Sequence, residues 1–122
     1  MRPSKKRERA NRLTITLTPL SPDCVSSHEV WLRLNGEQVG YAQLERRADL
    51  GVLEQVTIFE QYRRRGFAQI LLEALHHICD TDLQLMVYRD NAPAIDLYKK
   101  CGFELTDACD QFLEGVLAKE KT

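Results

Sequence analysis

The sequence predicts a mixed α/β domain built on one sheet of about seven strands with two main helices. In the first half, strand-like segments flank Asn35-Gly36, a pair typical of the tight turn of an antiparallel hairpin. The second half runs strand, helix, strand, helix from Val52 to Gly102, an order that places two strands parallel. At 122 residues, the chain has the length of one domain that buries about two thirds of its unfolded surface.

The composition indicates a water-soluble globular protein. Hydrophobic residues make up 43% of the chain and charged residues 29%, which are ordinary values. No apolar run is long enough to cross a bilayer, and no apolar signal-peptide core follows Met1, so we expect a cytoplasmic protein without a membrane partner. The formal net charge of −1 argues against nucleic acid as a partner.

The basic residues are crowded at the start of the chain, where apolar periodicity is absent. They are Arg2, Lys5, Lys6, Arg7, Arg9 and Arg12. We therefore expect a solvated, disordered tail at residues 1–11 and a single domain over residues 12–122. An acidic partner that binds the tail is the alternative.

No metal site is expected. The four cysteines are Cys24, Cys79, Cys101 and Cys109. They form no C-x-x-C pair, and a cytosolic chain keeps them reduced. The run His76-His77-x-Cys79 is similar to a fragment of a metal site. However, neighbouring residues on a helix point about 100° apart, so the two imidazoles do not readily share one ion.

Four strands are predicted before the first helix. The segment Leu13–Thr18 alternates strictly between apolar and polar residues, and residues 19–28, with two prolines and three serines, form a loop. The segments Glu29–Leu34 and Gln38–Glu45 then flank the hairpin turn. The fourth strand, Val52–Ile58, is rich in β-branched residues. At period two, one of its faces carries Val52, Glu54, Val56 and Ile58.

The second half alternates between helices and strands. Apolar residues at helical spacing predict a helix from about Arg65 to Cys79, followed by a fifth strand at Leu83–Tyr88. Asp90 or Asn91 then caps a second helix. One face of this helix carries Ala94, Leu97, Tyr98 and Cys101, and Gly102 follows its last turn. A sixth strand spans Phe103–Leu105, whereas Gln111–Leu117 suits either a helix or a returning strand.

A basic glycine loop joins the fourth strand to the first helix, with the pattern Arg63-x-x-Gly66-x-Ala68. A helix start presents unpaired backbone N–H groups and the positive end of the helix dipole. A glycine there lets a bulky anion approach the backbone closely, so the loop predicts a phosphate cradle. A basic turn that merely caps the helix is the alternative.

A second motif follows one strand later. The segment from Asn91 to Phe103 carries the pattern N-x-x-A-x-x-x-Y-x-x-x-G-F. With both motifs in this order and on these elements, residues 29–103 resemble the GNAT superfamily of acetyl-CoA-dependent N-acetyltransferases. The resemblance implies acetyl-CoA as co-substrate and makes Gln111–Leu117 a seventh strand. It also implies that the fourth and fifth strands splay apart, with the thioester arm of acetyl-CoA in the gap.

The resemblance implies roles for particular positions. The pyrophosphate loop corresponds to Arg63, Arg64, Arg65, Gly66, Phe67 and Ala68. The strand that contacts the pantetheine arm and the acetyl carbonyl corresponds to Val56, Thr57 and Ile58. Asn91 corresponds to the residue that hydrogen-bonds the pantetheine, and a plain helix cap is an alternative that can coexist with this role.

Tyr98 corresponds to the family's general acid, which protonates the departing coenzyme A thiolate. A phenol with a pKa near about 10 suits this role, although a core tyrosine is the alternative. Some family members place a glutamate base on the fourth strand, so Glu54 is the best candidate for the general base. Glu45 and Glu60 are weaker candidates, and each of the three can instead be a solvated residue.

The chain departs from the family on the acceptor side. Typical members place two helices between the first and second strands, whereas only residues 19–28 are available here. We therefore expect a shallow, open site for a protein or peptide amine, or one that a homodimer completes. The expected function is N-acetyl transfer by direct attack of an unidentified primary amine. An acetyl-CoA-binding module that regulates a protein partner is the alternative, and a basic nucleic-acid module is disfavoured by the net charge.

Overall fold

The computed structural model describes residues 12–21 and 24–119. Its elements are β1 (Leu13–Ser21), β2 (Cys24–Leu34), β3 (Glu37–Arg46), β4 (Leu50–Ile58), α1 (Phe67–Cys79), β5 (Asp82–Tyr88), α2 (Ala92–Lys100), β6 (Glu104–Asp107) and β7 (Phe112–Leu117). The strands form one mixed sheet in the order β1-β2-β3-β4-β5-β7-β6. The mixed α/β class and the seventh strand are thus confirmed, whereas the predicted tail at residues 1–11 lies outside the described residues.

The first two strands are longer than the sequence pattern predicts. The expected loop at residues 19–28 is wrong, because β1 continues to Ser21 and β2 begins at Cys24. Pro19 is paired with His28 inside the ladder. A proline is tolerated there because β1 is an edge strand, where a missing N–H need not interrupt a second ladder. Two residues now separate the strands, which leaves no room for intervening helices.

The hairpin between β2 and β3 is confirmed. Asn35 has a φ of 53° and Gly36 a φ of 89°, as a type I′ turn requires. The turn is also tied to the start of β1, because the backbone N–H of Arg12 donates to Asn35 Oδ1 at 2.9 Å. The first three strands therefore form one continuous antiparallel unit.

The second half has the predicted crossover. β4 and β5 are parallel, and β7 returns between β5 and β6, antiparallel to both. Gly115 explains how β7 fits there: an added Cβ would lie 2.8 Å from Leu105 Cδ2 and 3.0 Å from Leu85 Cδ1. A glycine at this position lets the side chains of both neighbouring strands meet over β7.

Both helices are close to their predicted positions. α1 begins at Phe67 rather than Arg65, because Arg64 and Gly66 have φ angles of 65° and 83°, which no α-helix accommodates. α2 begins after Asn91 and ends before Gly102, whose φ of 102° is typical of a glycine that terminates a helix.

The core lies on one face of the sheet. α1 contributes Leu71, Leu72 and Leu75 to it, and Leu83, Leu85 and Val87 of β5 face the helices. The opposite face carries the alternate residues of each strand, and no helix of the described chain packs on it; we call it the helix-free face. None of the helices in the described segments is long and apolar enough to span a membrane.

Candidate active site

A cleft opens where β4 and β5 part. The two strands are paired over only three residues each, and the pairing ends at Val52 and Gln84. Beyond these residues the strands diverge around a cleft of about 360 Å³. The predicted splay is therefore present, and the edges of β4 and β5 that face the cleft lack strand partners among the described residues. Backbone N–H and C=O groups at such an edge are available to a ligand.

β4 contains a β-bulge beside the cleft. Gln55 has a φ of 56°, and the register with β3 slips by one residue between the pairs Tyr41–Thr57 and Gln43–Glu54. The Tyr41 hydroxyl donates to Gln55 Oε1 at 3.1 Å, a contact that holds the bulged residue. A bulge of this kind bends a strand and redirects the side chains that follow it.

The bulge overturns one expectation about β4. The sequence pattern placed on one face Val52, Glu54, Val56 and Ile58. Before the bulge, Leu53, 3% exposed, faces the core opposite Leu44. The extra residue reverses the alternation after it, so Ile58 faces the core opposite Gly40. Glu54 and Thr57 therefore share the helix-free face, although three positions separate them.

Glu54 lies at the cleft as an exposed carboxylate. The weaker candidates for a base lie elsewhere. Glu45 forms an ion pair with Arg47 at 3.0 Å, and Glu60 is exposed in the 3₁₀ turn after β4. Of the three, Glu54 alone lines the cleft.

The glycine loop has the geometry of an anion-binding helix start. Gly66 occupies the cap position of α1, and no side chain caps the helix. An added Cβ on Gly66 would meet nothing within 4 Å, so the space beside Gly66 at the start of the helix is open. Arg63 holds the loop to β4, because its Nε donates to the Ile58 carbonyl at 2.8 Å.

The loop also contains a short ring stack. The guanidinium of Arg65 lies 5.7 Å from the centroid of the Tyr62 ring, and the rings of Tyr62 and Phe67 are 6.3 Å apart in an edge-to-face arrangement. Arg63, Arg64 and Arg65 are all exposed. Three guanidinium groups thus border the start of α1, where positive charge favours a phosphate.

Asn91 lies at the cleft and caps α2. Its Oδ1 accepts a hydrogen bond from the Ala94 N–H at 3.3 Å, and the residue lines the cleft. The cap uses the amide oxygen, so the amide NH₂ group remains for other contacts. The two roles considered for Asn91 are therefore compatible.

Tyr98 projects from α2 to the cleft. It is 8% exposed, and its ring packs against Phe103 with a centroid distance of 5.6 Å. Burial raises the pKa of the Tyr98 phenol above its ordinary value, and the nearby Cys101 acts in the same direction. The phenol therefore keeps its proton at neutral pH and is in the form that can donate it.

A model of the acetyltransferase (GNAT) family matches residues 5–103, and this range holds both motifs and every lining residue of the cleft except Phe112. The chain belongs to the GNAT acetyltransferase family. The resemblance predicted from the two motifs is thus confirmed.

Two curated GNAT relatives are similar over part of the chain. The L-amino acid N-acetyltransferase AaaT of Escherichia coli (strain K12) is 34% identical over 85 residues, covering 59% of this chain and 50% of that protein. An N-alpha-acetyltransferase of Sulfurisphaera tokodaii is 33% identical over 88 residues, covering 58% of this chain and 53% of that protein. The chain therefore spans about half the length of the curated relatives it matches.

Solved GNAT structures share the fold. A GNAT-family acetyltransferase from Elizabethkingia anophelis, solved with acetyl-CoA bound, has a TM-score of 0.73 and 13% sequence identity, and the match covers 89% of this chain and 99% of that chain. At this identity the likeness establishes the architecture alone.

Sequence reasoning missed several lining residues of this GNAT cleft. Its lining includes Gln84, Met86, Tyr88 and Phe112. The Tyr88 and Phe112 rings stand 4.4 Å apart. The signal that could have found them is the alternation of β5, where large side chains at 86 and 88 fall opposite the core residues Leu85 and Val87.

The two histidines of α1 are His76 and His77. Within residues 12–21 and 24–119, no cluster of three or more His, Cys, Asp or Glu side chains could hold an ion. His76 Nε2 and His28 Nδ1 are buried without a hydrogen-bond partner among the described residues. Both lie away from the cleft lining.

Proposed function

We propose that this chain transfers an acetyl group from acetyl-CoA to an α-amino group. The observation that carries the proposal is the divergence of β4 and β5 around a cleft that Tyr98 lines. Acetyl-CoA supplies an acetyl group activated as a thioester. The names of the two curated relatives, one for L-amino acids and one for Nα-acetylation, support an α-amine as the acceptor.

The glycine loop fits the phosphates of this co-substrate. The uncapped N–H groups at the start of α1, beside Gly66, form a site for a pyrophosphate. Arg63, Arg64 and Arg65 add positive charge around it. Gly66 keeps the approach open, because a Cβ there would occupy the space in front of the helix start.

The cleft edges fit the amide-rich pantetheine arm. Beyond Val52, the β4 backbone has lost its β5 partner, so those backbone groups of Val56, Thr57 and Ile58 that do not pair with β3 are available to it. The exception is the Ile58 carbonyl, which accepts from Arg63. The amide NH₂ group of Asn91, which its cap does not use, adds a donor on the other side. The arm would thus replace the missing strand pairing.

The proton transfers are assigned to two residues of the cleft lining, Tyr98 and Glu54. The amine nitrogen bonds to the acetyl carbon while the C–S bond breaks, and Tyr98 donates its phenolic proton to the leaving sulfur. The new amide nitrogen gives up one proton, for which Glu54, the one carboxylate in the described lining of the cleft, is the candidate acceptor. Proton exchange with solvent then restores both side chains.

The free energy needed to deprotonate the acceptor amine favours an α-amine. Freeing an α-amino group of its proton at pH 7 costs about 1 kcal/mol, whereas a lysine amine costs about 4–5 kcal/mol. Glu54 is exposed, and the described lining of the cleft contains no histidine. An α-amine is therefore the acceptor that needs less help from a general base in this cleft than a lysine amine does.

The second candidate function is an acetyl-CoA-binding module that regulates a protein partner with little turnover. The helix-free face favours it, because an uncovered sheet face beside the cleft is available to a partner. A homodimer that completes the pocket and a cytoplasmic location both stay predictions.

The test measures release of the coenzyme A thiol with α-amine acceptors for the parent and Tyr98→Phe. An enzyme that uses Tyr98 as general acid should lose about 10²–10⁴-fold in kcat while its acetyl-CoA Kd, from calorimetry, stays within about twofold. A regulatory module should bind acetyl-CoA but release no thiol with either protein. Equal kcat values for the two proteins would remove Tyr98 from the chemistry.

A further inference from the structure

The lining of the cleft is negative. Among the described residues that form it, Glu54 carries the only formal charge, and none is a lysine, arginine or histidine. The Gln84 amide is partly engaged, because its Nε2 donates to Glu114 Oε2. This contact uses one N–H and leaves the Gln84 carbonyl oxygen as an acceptor, together with the second N–H. The formal charge of the described lining therefore favours a cation over an anion.

The arginine nearest to the cleft by sequence is already engaged. Arg89 follows the cleft residue Tyr88, and its guanidinium donates to the carbonyls of Cys109 and Asp110 and to the Asp107 carboxylate at 2.9–3.1 Å. These contacts hold the turn between β6 and β7. An arginine fork with this many matched acceptors is not free to turn towards a ligand.

Two arginines with contacts on the helix-free face, Arg33 and Arg47, also have partners within the protein. The Arg33 guanidinium lies 5.9 Å from the Trp31 ring centroid and donates to Thr16 Oγ1 at 2.9 Å. Arg47 pairs with Glu45. Neither residue lines the cleft. The α-carboxylate of a free amino acid, which lies one carbon from the reacting amine, would thus meet Glu54 without a compensating cation from the described lining of the cleft.

The same face offers a surface on which a longer acceptor can lie. Met86 is 50% exposed and Tyr88 53% exposed, and with Phe112 they form an apolar strip that starts at the cleft; we call it the ledge. The ledge lies on the helix-free face, which no helix of the described chain covers. Exposed aromatic rings of this kind supply contact area to a bound polypeptide at a small cost in side-chain entropy.

From these observations we infer that the acceptor is the N-terminal α-amino group of a polypeptide and not a free amino acid. The inference rests on the proposed function and narrows it. In a polypeptide, a neutral amide replaces the α-carboxylate, which removes the repulsion from Glu54. Its N–H donates to an acceptor such as the Gln84 carbonyl, and the following residues lie on the ledge.

The experiment compares free L-alanine, L-alaninamide and a tri-alanine amide as acceptors, with the corresponding serine and methionine series. Release of coenzyme A is measured across pH, so that kcat/KM is expressed per neutral amine. We expect the amide to exceed the free acid by at least about tenfold, and the tripeptide to exceed the amide. A free acid as good as its amide would overturn the inference and leave the proposed function standing. If only lysine side chains or polyamines were acetylated, both would fail.

Tyr88→Arg gives a second, independent test. It adds a guanidinium at the cleft and removes a ring of the ledge, so kcat/KM should rise for L-alanine and fall for the tripeptide. Leu20→Arg is the matched control, since Leu20 is a 48% exposed apolar residue on the edge strand β1. In this variant kcat/KM should stay at the parent value for L-alanine and for the tripeptide. Thermal melting verifies that both variants fold. A parallel change for both acceptors in Tyr88→Arg would contradict the inference.

Discussion

The Tyr62 hydroxyl donates a hydrogen bond to Glu37 Oε1 at 2.5 Å, joining residues that are 25 positions apart. Tyr62 ends the 3₁₀ turn before the glycine loop, and Glu37 begins β3. The hydrogen bond to Glu37 raises the pKa of the Tyr62 phenol. This hydrogen bond therefore links the segment that leads into the glycine loop, which we assign to the phosphates, to the β2–β3 hairpin.

Glu37→Ala should therefore weaken acetyl-CoA binding without unfolding the protein. Loss of this exposed hydrogen bond loosens the turn that leads into the glycine loop, so the Kd for acetyl-CoA should rise by about two- to fivefold. Isothermal calorimetry measures the change. Thr16→Val, which removes the bond between Arg33 and Thr16 far from the loop, should leave Kd unchanged. An unaltered Kd in Glu37→Ala would show that the hydrogen bond between Tyr62 and Glu37 does not affect acetyl-CoA binding.

Two substitutions at Gly66 separate strain from charge. Its φ of 83° makes any side chain costly, by about 1 kcal/mol, so Gly66→Ala and Gly66→Glu should both lower the melting temperature slightly. Acetyl-CoA at a hundredfold its Kd should stabilise the parent by about 2.7 kcal/mol. Gly66→Ala should keep part of this shift, whereas Gly66→Glu, with a carboxylate at the helix start, should lose it. A full shift in Gly66→Glu would place the phosphates elsewhere.

The bulge in β4 predicts an unusual order of stability at Gln55. A left-handed backbone costs an L-residue about 1–2 kcal/mol and costs glycine little, so Gln55→Gly should be more stable than Gln55→Ile by at least about this amount. Both variants lose the bond from Tyr41, so the comparison cancels it. Urea denaturation gives the difference. A more stable isoleucine variant, as expected for a regular strand, would argue against the bulge.

Stability should fall at alkaline pH because buried acids must ionise on unfolding. Burial raises the pKa of the Cys79 thiol above its usual 9.0, although Arg46 opposes the shift. The unfolded thiol therefore loses its proton first, and the stabilisation present below about pH 9 declines as the pH rises towards the folded-state pKa. Each such group contributes a slope of at most about 1.4 kcal/mol per pH unit.

Urea denaturation at about pH 7.5 and about pH 10, with a reductant, measures this decline. Cys101 and Tyr98 have pKa values raised in the same direction, so Cys79→Ala should reduce the pH dependence without abolishing it. Cys109→Ala is the control, because Cys109 is exposed. An equal decline in the parent and in Cys79→Ala would contradict the assignment to Cys79.

The sequence predicted the parts of the site that depend on local backbone chemistry. The glycine loop, the cap at Asn91 and the placement of Tyr98 on an amphipathic helix follow from residue types at short spacings, and the structure has all three where they were expected. The prediction that alternate residues of β4 share one face was wrong, because no residue of Leu53-Glu54-Gln55-Val56 is typical of a bulge. The extra residue is stabilised by contacts with β3, such as the Tyr41 bond, which lie 14 positions away.

By itself, the sequence determined the order of the elements, the hairpin at Asn35-Gly36 and the family, because these depend on turn chemistry, periodicity and two short motifs. Only the tertiary structure decided how far β1 extends past Pro19, which way Glu54 faces, and what charge surrounds the acceptor. Those properties depend on partners distant in the chain. A strand's register, a side chain's burial and the engagement of Arg89 are each set by neighbours that folding brings together.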